Sequence, residues 1–266
     1  MLAEILAAKR DEVTLLHQPQ TRDALRRVAL EAPPTRPFVS ALRRPDSSLA
    51  VIGELKRRSP SKGALALDLD PVDVAKRYTA GGVAALSVLT DSLFFGGSVA
   101  DLADARAACD VPVLRKDFTI DEVQLYEARA IGADAVLLIV AALTDDALLR
   151  DLHDHAVALG LGVVVEANDE AELDRALGIE PSVVGVNSRD LATFREDLGV
   201  AATLASRVPS EVVAVAESAV RSEGDAGRMA AAGYDAVLVG EALVRSDDPE
   251  SLARAMSSCR VEPRSR

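Results

Sequence analysis

Lysine is scarce in this chain, and its positions indicate chemistry. Lysine and arginine together number 30, yet only five of these residues are lysines. Three of the five, Lys56, Lys62 and Lys116, lie at or just after apolar, strand-like segments. Arginine is the common cation elsewhere in the chain, and its guanidinium group does not give up its proton. Lysine ammonium groups at these positions therefore indicate acid–base chemistry.

The stretch 51–63 places opposite charges at the end of an apolar run. Glu54 and Lys56 are two positions apart, which on a strand puts both side chains on one face. Burying two charges costs free energy unless the charges pair with each other or take part in the function of the protein. The loop that follows carries three more cations among serine, proline and glycine, a composition that suits an anionic ligand. A solvated charged turn is the structural alternative for this loop.

Polar residues also end five other apolar runs, and they supply partners for the lysines. These run ends are Arg115–Phe118, Glu166, Asn187–Asp190, Glu217–Ser218 and Gly240–Glu241. Lys116 and Glu166 are the predicted acid–base residues. Lys56 nearby would disfavour the ammonium form of Lys116 and lower its pKa toward neutrality. Glu54 and Glu217 hold the lysines in this interpretation, or serve only as structural salt-bridge partners.

The elements that must position these residues alternate along the chain from residue 49. Strands are predicted at 49–54, 83–89, 111–115, 134–140, 161–166, 183–187, 212–216 and 236–240. Helices are predicted at 71–80, 99–108, 121–131, 144–159, 169–177, 197–206, 222–232 and 249–257. Eight strands that are each followed by a helix must pair in parallel. The predicted fold class is α/β, as a single (β/α)8 TIM barrel, and a doubly wound sheet is the alternative.

Repeats and breaks in the sequence give the domain organisation. Gly82, Gly132 and Gly233 each end a predicted helix immediately before a strand, which supports one repeating unit. The prefix carries helical patterns at 1–17 and 21–31 and is too short for a core of its own. The predicted divisions are an N-terminal helical extension at 1–48, a barrel at 49–260 and a C-terminal tail at 261–266.

Composition excludes several classes of function. The chain has 266 residues, is 49% hydrophobic with 3% aromatic residues, and carries a net charge of −12. Such an acidic chain argues against binding to nucleic acid or to anionic membranes.

Two cysteines are too few for a disulfide framework, and no signal peptide or spanning segment is recognisable, so a cytoplasmic location is expected. The three histidines lack metal-ligand spacing, and no metal is predicted.

The barrel prediction places the run ends together, because the carboxyl ends of barrel strands form the active face. The last two strand ends and the helices after them form the usual phosphate site of such barrels. Ser218 and Gly240 are small donors there, and Arg189 can supply a cation. A phosphorylated small-molecule substrate is therefore predicted. Phe95 and Phe118 lie beside strand ends, where they line an aromatic slot or pack in the core.

The motifs together resemble one family, indole-3-glycerol-phosphate synthase, along the whole chain. The matching segments are 54–63 (ELKRRSPSKG), 86–91 (LSVLTD), 95–98 (FGGS), 114–118 (LRKDF), 132–139 (GADAVLLI), 165–166 (VE), 187–191 (NSRDL), 216–218 (AES) and 239–243 (VGEAL). The resemblance implies conversion of 1-(2-carboxyphenylamino)-1-deoxyribulose 5-phosphate into indole-3-glycerol phosphate, with loss of carbon dioxide and water and without cofactor or metal. It also implies a lyase of tryptophan biosynthesis whose prefix caps the catalytic face of the barrel. A monomer is expected, with only weak association with other enzymes of the pathway.

The resemblance also implies roles for individual residues. Lys116 would be the general acid on the ribulose carbonyl, Glu166 would serve in the dehydration, and Lys56 would hold the substrate carboxylate. Asn187 would assist Lys56, while Glu54 and Glu217 would position these groups. The remaining expected substrate contacts are Arg189, Ser218, Gly240 and Glu241 around the phosphate end, and Ser59, Phe95, Phe118 and Leu137 on the anthranilate side.

Two departures from the family pattern and two alternative functions accompany this interpretation. Ala219 follows Ser218 where the family usually has glycine, and Gly224 and Gly227 loosen the start of the next helix. An isomerase like phosphoribosylanthranilate isomerase would need a cysteine at the first strand end, where Glu54 stands instead. A catalytically inactive barrel that only binds a phosphorylated metabolite would lack a lysine or glutamate of the catalytic set.

Overall fold

The computed structural model describes residues 1–44, 46–60, 62–189 and 198–264. The strands are β1 (Ala50–Leu55), β2 (Arg58–Ser59), β3 (Gly63–Ala64), β4 (Ala85–Leu89), β5 (Val113–Lys116), β6 (Ala135–Ile139), β7 (Gly162–Ala167), β8 (Val183–Asn187), β9 (Val213–Glu217) and β10 (Ala236–Val239). Strands β2 and β3 pair with each other as a small antiparallel hairpin. The other eight form a closed parallel barrel in the order β1-β10-β9-β8-β7-β6-β5-β4. The predicted (β/α)8 barrel is confirmed, and a doubly wound sheet is excluded.

Helices follow the barrel strands at the predicted places. The helices are α1 (Leu2–Leu16), α2 (Pro19–Glu31), α3 (Phe38–Leu42), α4 (Pro71–Ala80), α5 (Val99–Ala107), α6 (Glu122–Ala130), α7 (Asp146–Ala158), α8 (Glu170–Leu177), α9 (Leu198–Leu204), α10 (Glu223–Ala231), α11 (Glu241–Val244) and α12 (Pro249–Ser257). A single 3-10 turn, Ala205–Arg207, continues α9. Helices α3 and α11 were not predicted, because five and four residues are too few to show a helical period. Within the described ranges, no helix has both the length and the apolar character that a membrane crossing requires.

Local signals explain where the helices begin and end. Side chains of Asp or Ser cap the N-termini of α4, α5, α6, α7, α8, α10 and α12 by accepting hydrogen bonds from backbone N–H groups of the first turn. Gly82, Gly132 and Gly233 adopt φ of 85°, 87° and 94°. At each of them the next residue donates a backbone hydrogen bond five residues back, which closes a Schellman turn. The glycine repeat seen in the sequence is therefore a repeated helix stop.

The barrel interior is built in layers of alternate strand residues. Small and branched residues fill the layer at the amino ends of the strands, including Ala50, Ala85, Ala135, Val183 and Val213. Larger side chains fill the layer above them, and the members that pack in the same apolar cluster are Ile52, Leu114, Leu137, Val164, Val215 and Leu238. The intervening strand residues face the helices and form a second, larger apolar cluster. Alternation in the strands thus leaves the third interior layer, at the carboxyl ends, for other side chains.

The N-terminal extension contacts three regions of the barrel. Helix α1 lies at the carboxyl ends of the strands, where its first residues line the cavity described below. Helix α2 packs beside α6 on the outside. Helix α3 closes the opposite end, where Phe38 and Leu42 are 2% and 0% exposed and join the interior cluster of the barrel. The extension is therefore part of the barrel core at its amino end as well as a neighbour of the cavity.

The segment predicted as a C-terminal tail is bonded to the barrel as far as it is described. The backbone N–H of Val261 donates to the carbonyl of Ser47, and that of Glu262 donates to the carbonyl of Ala230. The guanidinium of Arg264 lies 2.9 Å from the carboxylate of Asp235 and is 4% exposed. Residues 261–264 therefore hold the chain end against the start of the barrel, and 265–266 lie outside the described residues.

Candidate active site

Five polar side chains lie in the third interior layer of the barrel, beside the apolar Ile139 of β6. They are Glu54 of β1, Lys116 of β5, Glu166 of β7, Asn187 of β8 and Glu217 of β9. The three glutamate side chains are only 2–3% exposed, although each can carry a charge. Charges buried this deeply require partners, and the geometry supplies them.

Lys116 lies at the centre of this layer. Its Nζ atom is 2.7 Å from Oε2 of Glu166 and 2.6 Å from Oε2 of Glu217. The side-chain amide of Asn187 donates to Oε1 of Glu166 at 3.1 Å. One ammonium group thus bridges two carboxyl groups that belong to β7 and β9, and the amide orients the first of them.

Electrostatics around Lys116 are the reverse of the sequence-based expectation. Burial alone would lower the pKa of the Lys116 ammonium, but the carboxylates of Glu166, Glu217 and Glu54 outweigh it and raise that pKa. The predicted lowering by Lys56 is therefore wrong, because facing carboxylates determine the balance. Lys116 is held as a charged ammonium with its proton in place.

The two glutamates that contact Lys116 have pKa values shifted in opposite directions. Burial raises the pKa of Glu166, but the Lys116 ammonium and the Asn187 amide more than compensate, so that pKa lies below its ordinary value. Burial raises the pKa of Glu217 to about 8, with Lys116 opposing the rise and the charge of Glu166 reinforcing it. Near neutral pH, Glu166 is an anion and Glu217 retains much of its proton. Two carboxyl groups in different protonation states are suited to proton transfer in opposite directions.

A second lysine–glutamate pair stands beside the first. Lys56 contacts Oε2 of Glu54, and their side chains are 15% and 2% exposed. This pair has the same-face geometry predicted from their spacing. Because Lys56 is the more exposed partner and lines the cavity, its ammonium can also reach a bound anion.

The other cations of the 57–62 loop do not enter the cavity. Arg57 pairs with Asp101 of α5, where its Nη2 lies 3.1 Å from Oδ1. Arg58 donates to the backbone carbonyls of Ser92 and Leu93. Lys62 is exposed. Arg57 and Arg58 therefore have protein partners in place of the expected anion, on α5 and on the backbone at 92–93, and the expectation for Lys62 stays a prediction.

All fourteen site residues expected from the sequence line one cavity at the carboxyl ends of the strands. The fourteen are Glu54, Lys56, Ser59, Phe95, Lys116, Phe118, Leu137, Glu166, Asn187, Arg189, Glu217, Ser218, Gly240 and Glu241. Asp190 and Leu191, which belong to one of the matching segments, lie outside the described residues. The strands bring together positions that are as far apart in the sequence as Glu54 and Glu241.

One side of the cavity is polar and includes a sharply turned loop. Arg189 and Gly240 line it, and the loop after β9 carries Ser218 and Ala219 with φ of 64° and 61°. Two successive residues in the left-handed region turn the backbone sharply, a conformation that glycine adopts with less strain. Glu241 lies beside them, and its carboxylate is 3.4 Å from Arg245.

The opposite side of the cavity is apolar. The rings of Phe95 and Phe118 lie 6.2 Å apart between centroids at an interplanar angle of 36°. Leu137, from the layer below, contributes to the floor, and Ser59 is buried at 4% exposure. A flat aromatic group packs against such side chains better than a sugar phosphate would.

Several lining residues were not expected from the sequence. Arg221 lies three positions after Ser218, and its position just before a helix would have been a signal. Met1, Leu2 and Ile5 of the α1 segment line the rim, on the face of the barrel that the family resemblance assigned to the prefix. The rim over the cavity is therefore partly supplied by the extension.

Fold and site together define a (β/α)8-barrel enzyme with a buried lysine–glutamate centre between a polar side, lined by Arg189 and Gly240, and an apolar side. A family model described as "Indole-3-glycerol phosphate synthase" matches residues 2–256. The chain belongs to the indole-3-glycerol phosphate synthase family. The match begins in α1 and ends in α12, so it includes the extension as well as the barrel.

Curated relatives agree with the family model. A protein named indole-3-glycerol phosphate synthase from Opitutus terrae is 46% identical over 256 residues, covering 94% of this chain and 96% of the relative. One from Burkholderia ambifaria is 46% identical over 257 residues, covering 96% and 98%. A protein named indole-3-glycerol phosphate synthase 2, from Streptomyces coelicolor, is 48% identical over 256 residues, also covering 96% and 98%.

A solved structure supports the fold alone. Thiamine phosphate pyrophosphorylase from Pyrococcus furiosus aligns with a TM-score of 0.56 at 15% identity, covering 79% of this chain and 94% of that one. The family assignment determines the activity instead. The chain is a carboxy-lyase of tryptophan biosynthesis that converts 1-(2-carboxyphenylamino)-1-deoxyribulose 5-phosphate into indole-3-glycerol phosphate, carbon dioxide and water.

Proposed function

We propose that Lys116 is the general acid of this reaction and that Glu166 and Glu217 control its proton. The observation that carries the assignment is the Nζ atom of Lys116, which lies within 2.7 Å of both carboxyl groups on the floor of the cavity. An ammonium group held in place by two carboxyl groups is preorganised, so its electrostatic effect requires no rearrangement during the reaction.

The proposed chemistry has two stages. In ring closure, the ring carbon that bears the carboxylate attacks the ribulose carbonyl carbon, and Lys116 protonates the carbonyl oxygen to a hydroxyl. Carbon dioxide then leaves, and its bonding electrons restore the aromatic ring. In dehydration, the hydroxyl takes up a proton from Glu217, which retains one near neutral pH, and departs as water while a proton is lost from the former C1 carbon of the sugar. Glu166, the more acidic of the two carboxyl groups, is an anion that can take up a proton at this stage.

The remaining contacts are proposed from the two sides of the cavity. Lys56, held by Glu54, faces the substrate carboxylate, and Asn187 assists by orienting Glu166. The phosphate binds at Arg189 with the backbone of the loop after β9 and of Gly240, near Ser218 and Glu241. The anthranilate ring packs against Phe95 and Phe118, above Leu137 and beside Ser59. A substrate with one charged end and one aromatic end then spans the cavity in a single orientation.

We further propose that residues 1–48 act as a capping extension of the barrel at 49–260. Support comes from Met1, Leu2 and Ile5, which line the rim of the cavity. A rim closed by apolar side chains excludes water, and the lower effective dielectric strengthens the interactions of Lys116 with its carboxyl groups.

We also propose that the enzyme works as a monomer in the cytoplasm, with at most weak association with other enzymes of the pathway. Both cysteines, Cys109 and Cys259, are free thiols, which agrees with a reducing compartment. Light scattering after size exclusion at assay concentration should give a mass near the 28.0 kDa of one chain. A stable dimer under those conditions would contradict the proposal.

The catalytic assignment is tested by Lys116→Met, with appearance of indole fluorescence from the substrate as the assay. Loss of positioned acid catalysis together with its electrostatic effect should lower kcat by about three orders of magnitude or more. The matched control is Lys76→Met, since Lys76 is exposed on α4. A Lys116→Met variant that is folded and turns over like the wild type would refute the assignment.

A further inference from the structure

The middle layer of the barrel has a gap beneath the catalytic glutamates. Strand β8 contributes Gly185 to this layer, where most neighbouring strands contribute a branched or larger side chain. Gly185 lies in register with Glu166 on β7 and with Val215 on β9. Glu217 follows Val215 by two residues, so its side chain stands one interior layer higher on the adjacent strand. Gly185 therefore lies between and below the two residues that bind Lys116.

The carboxyl group of Glu217 occupies the space that a side chain at position 185 would fill. A methyl group on Gly185 would overlap Oε1 of Glu217 and stand 3.1 Å from Cδ of that residue. It would also stand 3.1 Å from Cγ1 of Val164 on the far side. Gly185 has an ordinary backbone conformation, since its φ is not among the positive values of the chain. The absence of a side chain at Gly185 thus leaves room for the carboxyl group of Glu217, and no unusual backbone conformation requires glycine there.

The two oxygens of Glu217 have different surroundings. Oε2 contacts Lys116 at 2.6 Å, whereas Oε1 is buried and has no hydrogen-bond partner among the described residues. An oxygen that points into a recess without a donor gains nothing from hydrogen bonding there. Its position is instead determined by the shape of the recess and by the bond that Oε2 makes.

We infer that Gly185 is a positioning residue for the lyase reaction, because its missing side chain is the recess that holds Glu217 against Lys116. The inference rests on the proposed role of Lys116. A side chain at position 185 would lift the carboxyl group of Glu217 toward the cavity and separate Oε2 from the ammonium group. No charged group would be removed, and the proton donor would keep only one of its two partners.

The same arrangement occurs once more in the site. A methyl group on Gly240, after β10, would stand 2.5 Å from Oε2 of Glu54 and 3.3 Å from its Cβ. A glycine therefore lies behind Glu54 as well as behind Glu217. Gly185 is the sharper test, because Gly240 also lies on the proposed phosphate side.

The principal experiment compares Gly185→Ala with Gly162→Ala. Gly162 is also a barrel-strand glycine, but a methyl group there would meet Phe38 at 3.0 Å, at the opposite end of the barrel. We expect Gly185→Ala to lower kcat by about a hundredfold, as a displacement near 1 Å at a catalytic group does, and to change the pH dependence of kcat. Gly162→Ala should melt at a lower temperature and keep the kcat and pH profile of the wild type.

A double-mutant cycle with Glu217→Asp separates positioning from packing. Aspartate is one methylene shorter, so its carboxyl group would not overlap an alanine at position 185. Glu217→Asp should therefore lower kcat by itself, and Gly185→Ala should add no further loss in its presence. Independent losses that multiply in the double variant would overturn the inference, as would a Gly185→Ala enzyme with unchanged kcat and pH profile.

Failure to fold also has a defined meaning. If Gly185→Ala does not fold but the double variant does, the overlap with Glu217 is the cause and the inference stands. If neither folds, Gly185 is a packing residue and the inference falls. The Glu217→Gln variant separates the proposed role of Glu217 from the positioning role of Gly185. Full activity of Glu217→Gln would refute the role of Glu217. Impaired activity of Glu217→Gln, together with normal activity of Gly185→Ala, would refute only the positioning role of Gly185.

Discussion

Lys9 of α1 lies 2.8 Å from the carboxylate of Asp117, the residue that follows Lys116 in the chain. Its ammonium also lies 3.3 Å from Asp91 and 2.7 Å from Glu12, and the side chain is 1% exposed. Burial alone would lower the pKa of Lys9, but Asp117 and Glu12 outweigh it and raise that pKa. The extension is therefore joined by a buried charge to the strand end that carries the proposed general acid.

Lys9→Met should destabilise the protein and impair catalysis together. It removes the cation from buried Asp91 and leaves Asp117 with Arg115 as its remaining cation, at 3.3 Å, and loss of one partner of a buried pair costs roughly 3–5 kcal/mol. Urea unfolding measures the first effect, and kcat of the folded variant measures the second, because Asp117 adjoins Lys116. Lys76→Met, at an exposed site, is the control. A variant as stable and as active as the wild type would show that the buried pair neither stabilises the fold nor supports the site.

Deletion of residues 1–17 should weaken the site and leave the barrel folded. The deletion removes α1 with its apolar rim but keeps α3, whose Phe38 and Leu42 fill the other end of the barrel. We expect cooperative melting and a fall in kcat/KM of at least about tenfold, equivalent to roughly 1.4 kcal/mol. Deletion of 1–45 is not an equivalent test, since it would also open the core beneath the strands.

The comparison with Lys9→Met sharpens this experiment. Removing all of α1 exposes Asp91 and Asp117 to water, so the deletion should unfold at higher urea than the point variant if burial of unpaired charge is the main penalty. A truncated enzyme with full kcat/KM when folded would show that α1 is a clasp without a role in the site.

Arg189→Ala should act on substrate binding. A phosphate contact that is equally strong in the ground and transition states changes KM more than kcat. We expect KM to rise and the protection that inorganic phosphate gives against thermal unfolding to disappear. Arg245→Ala is a nearby control, because Arg245 pairs with Glu241 and does not line the cavity. Unchanged KM with intact protection would place the phosphate elsewhere.

Ala219→Gly should stabilise the protein. Ala219 has φ of 61°, in the left-handed region where a non-glycine residue is strained by roughly 1–2 kcal/mol. Part of that gain is offset by the greater freedom of glycine in the unfolded chain. Ala232→Gly is the matched control, since its φ of −76° is helical and glycine should destabilise it. The free energy of unfolding in urea should shift in opposite directions for the two variants.

Glu217 should make stability fall as pH rises through neutrality. Burial raises its pKa from 4.5 to about 8, so between these values the folded protein keeps a proton that the unfolded chain has released. Its contribution is complete below the lower value and is lost as pH passes the higher one. Glu217→Gln cannot titrate. The free energy of unfolding of the wild type, minus that of the variant, should therefore decrease between about pH 5 and about pH 9. A difference that stays constant would mean that this carboxyl group is ionised throughout.

The regular part of the molecule was predictable because each unit carries its own signals. The helix-ending glycine before residues such as Val83 and Ala133 and the polar end of each strand both repeat along the chain, and parallel pairing then brings the strand ends together. The contacts of Lys116 were not predictable. They depend on the stagger between strands, which decides whether Glu166, Glu217 or Lys56 faces the ammonium group. Alternation along one strand contains no information about that stagger.

Misplaced and missing features have similar causes. Arg57 and Arg58 appeared to belong to an anion site because cations in a loop look alike in sequence, whether they bind a ligand or a neighbouring loop. Helix α3 went unpredicted because its five residues are too few to show a helical period. Gly185 gave no sequence signal at all, since a glycine within an apolar strand shows only that a side chain is absent and not what uses the space.

The uppermost interior layer of the barrel contains charged residues that serve the reaction at positions where apolar residues would favour stability. The lower layers hold apolar side chains, while the uppermost holds Lys116 and three glutamates at a depth where apolar groups would also fit. Buried ion pairs are often less stabilising than hydrophobic groups of similar volume. Selection for turnover therefore limits the melting temperature that this chain can reach. Substitutions that replace the charged residues of this layer with apolar ones should yield barrels that are more stable and catalytically inactive.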